Sequence, residues 1–471
     1  MTRTSAKIRM YRLNELGDCF LVALTAGPKT SHLLIDCGSF RNTGPSKTRL
    51  EEITTQIEKD LDGASLDVVV GTHQHNDHLS GFLHCQATFE RIKVGEVWLS
   101  WLDDPKDKQA RKIGDDHDNL RVSLAKAMVK MRAHPATKRE GSRAATSFGI
   151  LTDMMGFFGA TEASAVPDVP MRATKVLKKL GARAPKYLEP SDVLQMPGLP
   201  DDSVRIHVLG PPRATDALYR KDPKQGESYD PKLAASTRVA DAMLDALDKR
   251  RDRSESGDRP YPFGGTLKRA PGTGSKELRA IQKRYRDRNN AWRNVDDDWL
   301  ETAGSLALYL DDFTNNSSLA LAIELVDSGK VLLFAADAQT GNWASWKDIA
   351  WKSGHPGTAK LLERTVFYKV GHHASHNATL VQAFEQMGGD DLVALIPVHK
   401  KDPNITKKNG WKMPATKLFK RIVERTNGRV LQMDGVNPAE SDPKTPKVKA
   451  AWKKVGITPK IDKNSIEVEI S

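Results

Sequence analysis

Leu66-Asp67-Val68-Val69-Val70-Gly71-Thr72-His73-Gln74-His75-Asn76-Asp77-His78-Leu79-Ser80-Gly81 is the stretch on which the reading of this chain turns. Leu66–Val70 is a short, β-branched apolar run, the pattern of a strand buried on both faces. Directly after it, three of the chain's 13 histidines and an aspartate fall between His73 and His78. In open α/β sheets the carboxyl end of a strand is where chemistry gathers. Neutral imidazole is the commonest metal-binding side chain, and a carboxylate adds the charge that a second cation needs. On an extended backbone His73 and His75 point to the same face, because side chains alternate with period two. They can therefore grip one ion. Asp77 and His78 lie where the chain turns into a helix, so they point elsewhere and can grip a neighbouring ion.

The remaining ligands are expected from other strand ends. Asp337 ends the run Val331–Ala336, and a carboxylate there can bridge two cations. His372 and His373 end Val366–Val370. Asp36 ends Leu33-Leu34-Ile35 and can hydrogen-bond a ligand imidazole from behind. Asn315, Ser317, Ser375 and His376 stand near the same strand ends and can donate hydrogen bonds to a substrate or protonate a leaving oxygen. The Asn-Asn-Ser-Ser run is equally suited to shaping a turn.

Outward from the motif, the chain divides. Residues 1–103 read as strands and turns with one helix, marked by Leu50, Ile53, Ile57 and Leu61. Residues 104–202 change character: Leu120, Leu124, Met128 and Met131 recur at helical spacing, the pattern of a helical insertion. A core strand is expected within 203–212. Residues 213–300 read as a second, basic insertion, with a helix at Ala234–Leu247, a Gly/Pro-rich charged loop at Asp248–Gly274 and a basic helix at Lys276–Trp292. Strand punctuation resumes over 301–436, with a hairpin around Asp327-Ser328-Gly329. Residues 437–471 read as a C-terminal tail, Pro/Lys-rich and loose from Asn437 to Lys454. Trp343, Trp346 and Trp351 are expected to pack or to cover the rim of the site.

The 471 residues carry a formal net charge of +12, 39% hydrophobic content and three widely spaced cysteines. This describes a soluble globular chain with neither a disulfide framework nor a cysteine metal site. No run approaches the ~20 apolar residues of a membrane helix. The first residues lack the apolar segment of a secretory signal, so the expected location is the cytoplasm. The basic excess favours a polyanionic partner.

The order Asp36, His73-x-His75-x-Asp77-His78, Asp337, His372 resembles the metallo-β-lactamase superfamily. Several stretches are similar to the metallo-β-lactamase-type domain of competence DNA-uptake proteins. These are Leu16-Gly17-Asp18-Cys19, Leu34-Ile35-Asp36-Cys37-Gly38, Asn315-Asn316-Ser317-Ser318-Leu319, Gly371-His372-His373-Ala374-Ser375 and Met433-Asp434-Gly435. The matching segments are 5–100, 204–212 and 315–436; the insertions are not covered. The resemblance implies an α/β fold, an αββα sandwich of two mixed sheets with two mostly helical insertions and two divalent metal ions, Zn or Mn, at one edge. It implies that His73 and His75 hold one ion, that Asp77, His78 and His372 hold the other, and that Asp337 lies between. Sequence leaves the choice between His372 and His373 open, with His372, nearer the strand, preferred. The superfamily usually has one more histidine, but the matching strand end here is Val208-Leu209-Gly210-Pro211. His207 lies close by, but on the opposite face of the strand. The first ion would then have two histidines, the bridge and water, a set leaning toward Mn²⁺. Ala336 stands where a glycine is usual.

Two cations ~3.5–4 Å apart can hold a bridging hydroxide at neutral pH and clamp the oxygens of an in-line displacement. The expected activity is that of a metal-dependent hydrolase, a phosphodiesterase or nuclease, with Asp77, Asn315, Ser375 and His376 as candidate catalytic residues and nucleic acid or another phosphodiester as substrate. The alternatives are a hydrolase of a small ester, lactone or lactam, and a nucleic-acid-binding module with little turnover.

Overall fold

The computed structural model describes residues 3–160, 168–220, 274–285, 287, 298–352, 354–408 and 410–471. In chain order its strands are β1 (Thr4–Tyr11), β2 (Cys19–Ala26), β3 (Lys29–Cys37), β4 (Leu66–Val70), β5 (Val94–Ser100), β6 (Lys186–Leu188), β7 (Val193–Gln195) and β8 (Val204–Gly210). They continue with β9 (Ala320–Leu325), β10 (Lys330–Phe334), β11 (Thr365–Lys369), β12 (Val393–Ile396), β13 (Val430–Gln432), β14 (Lys460–Ile461) and β15 (Ser465–Ile470). Among the described residues they form two sheets, ordered β14-β15-β1-β2-β3-β4-β5-β6 and β13-β12-β11-β10-β9-β8-β7.

The sheets pack face to face. Leu33, Val68 and Val97 of the first share one apolar core with Ile206, Leu321, Leu332 and Phe367 of the second. Phe20 meets Phe334 edge to face across that core, with ring centroids 5.9 Å apart. The outer face of the first sheet is covered by the helix Gly44–Leu61, whose Leu50, Ile53, Ile57 and Leu61 are buried as their spacing predicts. A second apolar core lies under the outer helices of the other sheet. The architecture is a mixed α/β sandwich with helices outside.

Parallel pairing sets the position of the site. β3, β4 and β5 run parallel, with Ile35 opposite Val70 and Val70 opposite Trp98, so their carboxyl ends share one edge. β10, β11 and β12 are also parallel. The loops after β4, β10 and β11 therefore emerge together. The backbone N–H of Leu319 donates to the carbonyl of Thr72 at 2.9 Å, joining the second sheet to the histidine loop.

Residues 104–202 contain the helices Lys108–Ala133, Arg143–Phe157 and Val169–Leu180. The first buries Leu120, Leu124, Met128 and Met131. The segment is not only an insertion, however. Its last part supplies β6 to the edge of one sheet and β7 to the edge of the other, so it carries the chain across the sandwich. Strands of three residues are too short to show a period. In 213–300 the helix expected at Ala234–Leu247 and the loop expected at Asp248–Gly274 lie outside the described residues, the loop apart from its last residue. The basic helix spans Lys276–Tyr285. The helix Asp298–Asn316 crosses the expected boundary at 301. It packs closely on the helix Arg143–Phe157, where Gly304 faces Ser147 and a Cβ would come within 2.9 Å of its Oγ.

The expectation of a loose tail is corrected. Residues 446–454 form a helix that buries Val448 and Trp452 in the central core. β15 pairs antiparallel with β1, from Ala6 opposite Ile470 to Tyr11 opposite Ser465. The alternation in Ser-Ile-Glu-Val-Glu-Ile is a strand pattern, but it is short, and proline and lysine upstream masked it. The hairpin at Asp327–Gly329 is present, with Gly329 at φ 68°.

Candidate metal centre

His73, His75, Asp77, His78, Asp337, His372 and His373 converge at this edge, and none is more than 7% exposed. The turn after β4 runs into the helix Asn76–His84 at His75, which puts Asp77 and His78 in its first turn. His78 Nδ1 lies 2.7 Å from Asp36 Oδ2. Asp36 also accepts from Thr72, at its backbone N–H (2.9 Å) and its hydroxyl (2.7 Å). One carboxylate thus fixes both the loop and the imidazole, leaving His78 Nε2 aimed inward, 3.2 Å from Asp337 Oδ2. Gly38 lets these segments meet: a Cβ there would lie 2.4 Å from the His78 nitrogen.

The choice at the β11 end falls against the preference for His372. His373 Nε2 is 2.9 Å from Asp77 Oδ2 and 3.7 Å from Asp337 Oδ2, while its Nδ1 faces the Pro397 carbonyl at 2.6 Å. His372 turns its Nδ1 to Ser375 Oγ (2.9 Å) and the Gln339 amide (3.3 Å). The reason is backbone geometry. His372, His373 and Ala374 are all left-handed, at φ 43°, 48° and 60°, so the chain coils after β11 instead of alternating. "Nearer the strand" then carries no information about direction.

Three residues of the site are not singled out by the sequence. Asp18, at the turn before β2, joins His78, Asp337 and His373 in a group whose ligand atoms all lie within 4.8 Å of one another. Its turn was quoted for its resemblance, but an aspartate before a strand looks like any turn residue. Lys369, in β11, is fully buried, and its ammonium bonds Asp18, Asp337 Oδ1 (3.1 Å) and the Ala336 carbonyl (2.8 Å). Asp311 is a third omission. It projects from the helix Asp298–Asn316 with Oδ1 3.6 Å from His75 Nε2. Asn315 donates to its Oδ2 at 3.1 Å.

His73 and His75 form the other half of the centre. His73 Nε2 and His75 Nδ1 are 3.1 Å apart, and Ser318 Oγ lies 3.3 Å from His73 Nδ1 and accepts from the Asp337 N–H at 3.2 Å. Phe157 and Phe158, from the first insertion, each sit 5.1 Å from the His75 ring. Trp411 stacks on Phe157. His207 is not among these residues. It bonds Glu324 at 2.8 Å. Ser375 is buried, whereas His376 is exposed. Trp343 and Trp346 are buried and pack against each other.

The electrostatics differ across the centre. Burial drives His75 down to about 3 and His372 to about 4, and pushes His73 well below its ordinary range, so all three are neutral at pH 7. Against the same burial, Asp337 and its neighbouring carboxylates raise His78 and His373. Burial opposes ionisation of Asp337, but Lys369, His78 and His373 hold it well below the usual carboxylate range. Burial and the nearby Asp312, Asp77 and Asp337 push Asp311 well above it.

The donors fit a divalent cation. Asp18 Oδ1, His75 Nε2, Asp77 Oδ1, His78 Nε2 and Asp311 Oδ1 are buried without a hydrogen-bond partner. Each such atom costs ~1–3 kcal/mol if nothing binds it. Imidazole nitrogens and carboxylate oxygens suit zinc and manganese. A scan against family models finds no match for this chain, and a search of curated proteins finds none. No helix among the described residues is long and apolar enough to cross a membrane.

Proposed function

We propose that the chain is a metal-dependent hydrolase of the metallo-β-lactamase type, with a phosphodiester as the favoured substrate. One observation carries this reading: buried ligand atoms without a hydrogen bond, from the turn before β2 and the loop after β4, converge on a single edge. Such atoms are uncommon in a folded core, and here several of them gather at one place. His73 and His75 would hold one ion. Asp18, Asp77, His78 and His373 would hold a second, with Asp337 between them. Divalent ions, zinc or manganese, would supply Lewis acidity there, activating water near neutral pH and offsetting charge on a phosphoryl or acyl oxygen.

The chain's own residues do the rest. Asp36 and Ser318 orient the imidazoles. Lys369 offsets part of the negative charge of Asp18 and Asp337. Asp311, whose burial favours its protonated form, can hold a proton beside His75. Ser375 and His372 form a hydrogen-bonded pair at the rim. The net charge of +12 favours a phosphate-bearing substrate over a neutral one. A small ester or lactam is the second reading, favoured by the cover that Phe157 and Phe158 place over His75.

Metal analysis of the purified protein tests the centre. Turnover of bis-p-nitrophenyl phosphate, DNA, RNA and a chromogenic lactam with added Mn²⁺ or Zn²⁺ tests the reaction. Phosphodiester cleavage that requires the ion is expected. Lactam cleavage alone would replace the phosphodiester reading with the second one.

A further inference from the structure

A small cavity of about 90 Å³ opens beside the histidine loop. That is room for several water molecules, or for one small ring in their place. His73 and Gln74 line it, and most of the other lining residues come from regions outside the resemblance. The helix Lys108–Ala133 supplies Ile113 and Gly114, and the helix Asp298–Asn316 supplies Leu310 and Phe313. Gly114 is exposed at the cavity's mouth, and a Cβ on it would meet nothing within 4 Å, so a larger side chain can be placed there.

The lining has a body and an edge. The body is apolar and aromatic, with Phe313 against His117 at 3.7 Å between ring centroids. The edge is polar: Gln74 Nε2 donates to Asp103 Oδ1 at 2.6 Å, which leaves the amide oxygen and the second carboxylate oxygen for a ligand. Among the described residues the one lining cation, Arg121, pairs with Asp118 at 2.8 Å, and Asp103 adds an acidic group. A flat group with apolar faces and a hydrogen-bonding edge fits this lining, and a second anion does not. Because Phe157 and Phe158 cover the centre at His75, a double helix cannot bring its backbone to the ligand atoms from that side.

We propose that this cavity seats one uncharged heteroaromatic ring, of nucleobase size, attached to the scissile phosphodiester, so that the substrate is a small nucleotide-like ester, not a duplex. The proposal rests on the phosphodiester reading for the bond cleaved, but not for the ring. It makes the first insertion, together with the helix Asp298–Asn316, the determinant of specificity.

The test is binding to the metal-loaded full chain by calorimetry, with three probes: thymidine 5′-phosphate, methyl phosphate and thymidine. The ring is expected to tighten the phosphate by about tenfold or more, the range of base stacking on aromatic side chains. Gly114→Trp fills the cavity and should erase that advantage while leaving methyl phosphate unchanged. Gly114→Ala keeps the room and should retain the advantage, which controls for any effect on the helix. If thymidine binds and Gly114→Trp abolishes it while neither phosphate binds, the cavity assignment stands and the phosphodiester reading falls. If the ring adds less than about threefold, or Gly114→Trp leaves the advantage intact, the cavity assignment is wrong whatever the enzyme cleaves.

Discussion

His73 and His75 on one side of the centre, and Asp18, His78, Asp337 and His373 on the other, share one edge of the sandwich yet carry charge in opposite ways. On the first side burial wins: the imidazoles are neutral and Asp311 is pushed toward its protonated form. On the second, close carboxylates win: His78 and His373 are raised and Asp337 is depressed, with Lys369 as a further cation. The neutral side is ready to accept an ion as it stands. The charged side stores positive charge as protons and an ammonium, so an ion entering there must displace protons. The same residue type thus behaves differently according to whether a carboxylate lies beside it.

The largest expected effect breaks the charged side. Asp337→Ala and His373→Ala should each weaken metal binding by more than the ~100-fold that loss of an outer partner can cost. His372→Ala should cost less than about tenfold, because its Nδ1 is turned to Ser375 and Gln339. Metal retained against a graded chelator measures this. Equal losses for the two histidine variants would hand the ligand role back to His372. Next comes Asp36→Ala, which frees His78 to rotate and should cost ~10–100-fold in affinity with the fold intact.

The contrast between the sides has a pH signature in the metal-free protein. The folded His75 titrates at about 3, below its unfolded value of ~6.5. Its contribution to stability is therefore complete above ~6.5 and is lost as pH falls toward 3, because only the unfolded chain takes up the proton. The slope is at most ~1.4 kcal/mol per pH unit. His78 has the opposite sign: its folded value is raised, so its contribution is present below ~6.5 and is lost as pH rises through the folded value. Urea unfolding across pH should show His75→Gln flattening the acid limb and His78→Gln flattening the neutral-to-alkaline limb. The same limb responding to both variants would erase the distinction.

What the sequence made legible follows the same division. The His73–His78 loop was readable because four ligand candidates fall within six residues after a strand whose apolar run is unmistakable. Asp36 and Asp337 were readable as strand ends. Asp311 was not, since it lies on a helix whose apolar positions Leu306, Leu310 and Phe313 make it look like an ordinary polar face. It meets His75 only because the helix Asp298–Asn316 crosses the first insertion at Gly304. Lys369 was hidden by alternation, because a lysine inside a strand usually faces water. Individual strands such as Leu66–Val70 were legible from their apolar runs, whereas the sandwich was implied only by the resemblance. β6, β7 and β15 were not, being too short or too close to proline-rich chain to show a period.

The smallest expected effect concerns the coil that aims His373. Three consecutive residues there are left-handed, and Ala374, at φ 60°, has a Cβ that this conformation disfavours. A non-glycine residue in that region costs ~1–2 kcal/mol, and a glycine recovers most of it while losing ~0.5–1 kcal/mol in unfolded-chain entropy. Ala374→Gly should therefore raise unfolding stability by up to about 1 kcal/mol. Such strain persists where the surroundings over-determine it, and here the His372 N–H donates to Asp337 Oδ1 at 3.0 Å while His373 is held by Asp77 and Pro397. Relaxing Ala374 should leave metal affinity within about threefold of the native value if those bonds alone aim His373. A stabilised variant with a larger loss of affinity would show that the strain itself, and not only the hydrogen bonds, turns His373 toward the charged side.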